Sequence, residues 1–129
     1  MIKSTAAISL LLLITITGSL ALAAPGDLIW QEDYDRSGSS QDWAHDVAVS
    51  GSRIFVVGDT TDSGGSDFSV RAYDAGTGSL LWEDNFDPEG LNFERVEAVA
   101  AQKNRVVAVG ESRTASGGRG WTVRVYKAS

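Results

Sequence analysis

The chain repeats itself, and that constrains its fold more than any other feature. Shifted by 52 residues, the segment from Leu28 to Gly58 falls on the segment from Leu80 to Gly110 without a gap. Leu28-Ile29-Trp30 lies on Leu80-Leu81-Trp82, Tyr34-Asp35 on Phe86-Asp87, and Val47-Ala48 on Val99-Ala100. Arg53 lies on Arg105, and Val57-Gly58 on Val109-Gly110. Beyond the glycine loops the shift becomes 53, and Val70-Arg71-Ala72-Tyr73 lies on Val123-Arg124-Val125-Tyr126. One extra loop residue accounts for the change. Chance matches apolar residues easily, but it rarely brings Trp, Gly and Arg into the same register.

Each copy reads as four short strands. Ile54 to Val57 and Val106 to Val109 are continuous apolar runs, as in strands covered on both faces. Phe68 to Tyr73 and Trp121 to Tyr126 alternate, as in half-buried strands. Leu80 to Phe86 and Leu28 to Tyr34 start apolar and end acidic, and Asp46 to Val49 and Val96 to Ala100 complete the sets. Turn signals separate them: Ser50-Gly51-Ser52, Asp62-Ser63-Gly64-Gly65, Ala75-Gly76-Thr77-Gly78 and Ser116-Gly117-Gly118. The expectation is an all-β fold of eight strands, with repeats over about 26–77 and 78–129.

The first 23 residues stand outside the repeat. Lys3, an apolar run from Ala6 to Ile16, a break at Gly18 and the small-residue pattern Ala21-Leu22-Ala23 make the layout of a secretory signal peptide. Cleavage is expected after Ala23; Pro25 disfavours cleavage after Ala24. The competing reading is an uncleaved anchor, since Ala6 to Ala24 approaches bilayer-spanning length, but the apolar core is short. The mature chain, residues 24–129, is then expected outside the cytoplasm, secreted or periplasmic, with no stable membrane span. It carries 17 acidic against 10 basic residues, a formal charge of −7, which argues against nucleic acid or anionic lipid as partner. The absence of Cys excludes disulfides and a lipid-modified cysteine.

The run Ala72-Tyr73-Asp74-Ala75-Gly76-Thr77-Gly78-Ser79-Leu80-Leu81-Trp82 has the pattern A-x-D-x-x-T-G-x-x-x-W. It resembles the tryptophan-docking motif of the pyrroloquinoline-quinone-like repeat, the blade of the quinoprotein β-propellers. The resemblance covers nearly all of the mature chain. It implies that Ala72, Asp74, Thr77, Gly78 and Trp82 form a structural docking motif, with Gly26 and Trp30 in the other copy. It implies further that Gly78 makes the turn between third and fourth strands and that Trp82 packs flat between adjacent blades. By the same resemblance Leu28 to Tyr34 is a fourth strand with no blade before it, while the second blade lacks its own fourth strand. These two gaps are complementary.

Two blades cannot close a ring, since propellers have about four to eight. Head-to-tail self-association by strand exchange is therefore expected, four chains giving an eight-bladed ring and three a six-bladed one. A truncated piece of a larger propeller, or a two-blade sandwich, is the alternative. The function expected is a non-enzymatic binding or scaffold module. The alternative is a degenerate fragment of a quinoprotein dehydrogenase. No catalytic residue and no quinone site are expected, because the docking motif is structural and no further motif of the family maps onto the chain.

Three other features invite a chemical reading. His45 beside Asp46 could do general-base work, although the second copy has Glu97-Ala98 there and a strand-end surface pair is the plainer account. Asp33-x-Asp35-x-Ser37-Gly38 imitates the start of a calcium loop, and Asp59, Asp62 and Asp67 around Gly64-Gly65 could also gather oxygens. Solvated turns explain the same residues through backbone preference. Trp43 and Phe93, in corresponding connections, are candidates for partner contact or for filling gaps between blades.

Overall fold

A computed structural model of the chain describes residues 24–36, 38, 41–87 and 93–129. The signal-peptide reading of residues 1–23 and the place of Ser37 lie outside them. Among the described residues, seven strands form two antiparallel meanders. The first sheet holds β1 (Trp43–Ser50), β2 (Arg53–Asp62), β3 (Gly65–Asp74) and β4 (Leu80–Phe86), in that order. The second holds β5 (Glu94–Gln102), β6 (Arg105–Arg113) and β7 (Arg119–Lys127). No helix among the described residues is long and apolar enough to cross a membrane.

The expectation of eight strands needs correction at the N-terminal one, whereas the second sheet lacks a fourth strand as the resemblance implied. Leu28 to Tyr34 belongs to no sheet, and the second sheet has three strands. A strand is defined by a partner for its N–H and C=O groups. The repeat assigns Leu28 to Tyr34 the place beside β7 that β4 occupies beside β3. Instead, the segment lies against the opposite end of the stack, over the far face of the first sheet.

The alternation read from the sequence decides how the sheets stack. Phe55, Val57, Phe68, Val70 and Ala72 point from the first sheet toward Val96, Val106 and Ala108 of the second, and all are fully buried. Trp82, Phe86, Val99 and Tyr126 seal the margin of this layer. Burying side chains of this size contributes about 1.5–3 kcal/mol each. The buried residues on the two sides of this layer are joined through Trp82, Val99 and Tyr126, which pack against both.

Both blades bend at the same place. The register slips between Ala44 and Asp46 where β1 meets β2, and between Val96 and Ala98 where β5 meets β6. His45 and Glu97 are the extra residues of these bulges. Opposite each bulge stands the repeated glycine. A Cβ on Gly58 would overlap the Trp43 carbonyl, and one on Gly110 the Arg95 carbonyl. The Gly of each Val-Gly pair is thus required by close backbone approach.

Candidate functional site

The docking motif is built by its own turn. The Asp74 carboxylate accepts hydrogen bonds from the N–H of Thr77 at 2.9 Å, the Thr77 hydroxyl at 3.0 Å and the N–H of Gly76 at 3.0 Å. Chief among them, the Thr77 N–H and then its hydroxyl hold the Asp74 carboxyl below the usual carboxylate range. Gly78 follows with φ of 74°, a left-handed conformation that glycine takes without penalty. Its missing side chain lets the Trp30 ring settle directly on the backbone: a Cβ there would lie 2.7 Å from Trp30 Cδ2. The Trp30 indole N–H donates to the Ala75 carbonyl at 2.9 Å, and the ring lies 6.1 Å from that of Tyr73.

The same contact recurs one blade later. Trp82 stacks on Tyr126 with ring centroids 5.4 Å apart. The Arg71 guanidinium lies 3.8 Å over the Tyr34 ring and donates to the Tyr73 hydroxyl. In the next blade Arg124 lies 3.9 Å over Phe86 and donates to the Tyr126 hydroxyl. Burial pushes the Tyr126 phenol up to about 12. Arg71 further pairs with Glu83, and Arg124 with Asp84 at 2.7 Å. The segment from Trp30 to Tyr34 therefore sits on the first blade as Trp82 to Phe86 sits on the second. One difference remains: the buried indole N–H of Trp82 has no acceptor.

Two surfaces are left uncovered by this stacking. Among the described residues, β7 has β6 on one side and no strand on the other. Its outward residues Trp121, Val123 and Val125 are 86%, 47% and 61% exposed, continuous with Val109 of β6. At the other end of the stack, Val47 and Val49 of β1 are also exposed. Beside them a cavity of about 270 Å³ opens between the N-terminal segment and the first sheet, lined by Trp30, Tyr34, Trp43, Val56, Gly58 and Arg71.

The candidate polar residues separate. His45 pairs with Asp59 across the bulge, Nε2 to carboxylate at 2.6 Å, and not with its neighbour Asp46. Asp59 also accepts from the Val96 N–H at 2.9 Å, and Asp46 from the Val99 N–H at 2.8 Å, so both carboxylates tie the first blade to the second. Asp62 pairs with Arg36 and accepts from the Gly64 N–H. Asp33 accepts from the Gln31 amide and Asp35 from the Gly38 N–H. Asp59, Asp62 and Asp67 do not converge. Asp67 pairs with Arg36 and instead meets Asp87 and Glu94, with a carboxylate oxygen of each within 4.8 Å of the others. Trp43 is 59% exposed at the rim of the cavity, whereas Phe93 lies half-buried beneath the Arg119 guanidinium.

Glu94 and Asp87 were not among the sequence candidates. Asp87 follows the Phe68–Phe86 cross-strand pair, which places it opposite Asp67. That signal depends on register and is invisible until β3 and β4 are paired. Glu94 is fully buried, and neither of its carboxylate oxygens has a hydrogen-bond partner. Burial, and after it the charge of Asp87, pushes the Glu94 carboxyl above its ordinary value.

No curated protein matches the chain in sequence. Among solved structures, the tail fiber of Staphylococcus aureus phage P68 is similar over 67% of this chain and 20% of its own, at 16% identity and a TM-score of 0.49. The chain thus spans about a fifth of that protein's length. The family model described as outer membrane protein assembly factor BamB matches residues 16–114, and the chain belongs to this family of PQQ-like, β-propeller-type repeats.

Proposed function

We propose that the protein is a non-enzymatic binding or scaffold module that works outside the cytoplasm and builds its propeller from several copies of itself. One observation carries this reading: the inter-blade contact of Trp82 and Phe86 is repeated by Trp30 and Tyr34, whose segment pairs with no strand among the described residues. The open edge of β7 is the place where such a fourth strand belongs. A second copy of the chain supplies it.

The repeat gives the register. β3 and β4 pair Phe68 with Phe86, Val70 with Asp84 and Ala72 with Trp82. Carried through the shifts, β7 of one copy pairs Trp121, Val123 and Val125 with Tyr34, Glu32 and Trp30 of the next. The exposed face of β6 and β7 then covers Val47, Val56 and the cavity of the neighbouring copy, as the first sheet covers Val99 and Ala108 within one chain. Strand addition of this kind gains main-chain hydrogen bonds along an edge and removes that edge from solvent. Each contact is head-to-tail, so the assembly must close to avoid growing into fibres. Three copies give six blades and four give eight, within the range of about four to eight in known propellers.

The secretory layout of the first residues and the family's description as an outer-membrane assembly factor support a place outside the cytoplasm. The pairing of His45 with Asp59, whose carboxylate in turn ties the first blade to the second, supports a role without catalysis. Mixed oxidation tests the register, since the chain has no native cysteine to interfere. Glu32→Cys and Val123→Cys variants, mixed, should form a disulfide-linked pair that neither forms alone. No more product than from Glu32→Cys mixed with Lys103→Cys would overturn the pairing.

A further inference from the structure

We propose that Asp67, Asp87 and Glu94 hold a divalent cation of the calcium class that ties the first blade to the second. The three residues come from three elements. Asp67 lies on β3, Asp87 directly follows β4, and Glu94 opens β5 in the other sheet. A carboxylate oxygen from each lies within 4.8 Å of the others. Ligands about 2.3–2.6 Å from one calcium ion span distances of this size, and all-oxygen donor sets are what calcium prefers.

Proximity of acidic groups alone would mean little. The decisive feature is Glu94. It is completely buried, it is part of the cluster, and both of its oxygens lack a hydrogen-bond donor. A buried carboxylate without partners is costly, and proteins resolve that cost with a counter-charge, a proton or a metal. The surroundings offer little other compensation. The Arg36 guanidinium is engaged by Asp67 and Asp62, and the backbone N–H groups of Arg113 and Phe93 favour the charged Glu94 less than burial and the charge of Asp87 oppose it. Three carboxylates facing one guanidinium leave a net negative pocket. Asp87 is exposed, so the cluster reaches solvent on one side.

The site occurs once because the repeat is imperfect there. Asp35 and Asp42 stand where Asp87 and Glu94 would be, but Gly120 replaces Asp67 in the second blade. Asp42 is moreover already satisfied, accepting from the N–H of Arg36 and of Thr61.

Titration calorimetry of calcium chloride into the chelator-treated mature chain tests the proposal, with thermal melts alongside. One ion per chain should bind, with a dissociation constant of about 10⁻⁴–10⁻³ M as in extracellular calcium modules. Calcium should raise the melting temperature accordingly. Glu94→Gln should abolish binding, and Asp87→Asn, an exposed change that spares the core, should weaken it roughly tenfold or more. Absence of heat and of any melting shift at about 10 mM calcium overturns the site. So does undiminished binding in Asp87→Asn, which would place the ion elsewhere, for instance at Asp33 and Asp35.

Discussion

At the scale of single residues, the repeated glycines show how a sequence match turns into a physical requirement. Gly58 and Gly110 fall in register, and the repeat alone marks them as equivalent. Their reason lies in the bulges at His45 and Glu97, which press the Trp43 and Arg95 carbonyls onto the facing strand. Bulges are a property of pairing, so the sequence carries the glycine and not its cause. Gly58→Ala and Gly110→Ala should each destabilise the fold by about 1–3 kcal/mol, the usual cost of forcing atoms into a packed site. Denaturant unfolding of the mature chain measures it. Gly51→Ala is a poor control because its φ is 62° and the left-handed backbone adds a penalty of its own, whereas Gly76, with only the Asp74 side chain nearby at 3.5 Å, isolates the steric effect.

At the scale of elements, strands that find partners within the chain were legible and the one that does not was misread. The continuous run Ile54 to Val57 and the alternation of Phe68 to Tyr73 lie within β2 and β3. Leu28 to Tyr34 has the same apolar start as β4, yet it is no strand, because strand identity depends on a neighbour that its own composition cannot supply. The acidic cluster failed to show for a similar reason. Asp59, Asp62 and Asp67 are close in sequence, but Asp59 turns to His45 and the Val96 N–H while Asp62 and Asp67 share Arg36, so the three do not gather around one point. Asp87 and Glu94 are distant from Asp67 in sequence and adjacent in space. What holds the N-terminal segment is the seat of Trp30 on Gly78 and its bond to Ala75. Trp30→Ala should therefore release residues 28–34 while leaving both sheets folded. Limited proteolysis should then cut within residues 28–34 and hydrogen exchange should quicken at the Ala75 amide, with the β2 and β3 amides unchanged. Loss of protection throughout the first sheet would mean that the segment is part of the core and not a docked strand.

At the scale of the whole molecule, the two uncovered surfaces belong to one relation. The repeat that stacks the first blade on the second also predicts what should stack on each free face: another blade of the same kind. Trp121, Val123 and Val125 lie exposed on an unpaired edge, an arrangement that soluble proteins avoid unless something covers it. The cavity against Trp30 and Val56, together with exposed Val47, is the matching vacancy on the other side. Val123→Lys places a charge in that seam and should leave a folded monomer, because Val123 points away from the buried layer within the chain. The molar mass of the purified mature chain, measured by light scattering with Val123→Lys beside it, decides the matter. A closed assembly of three or four copies for the native chain, reduced to one copy by the substitution, is the predicted result. A folded native chain that remains a single copy across the concentration range would contradict strand exchange between copies.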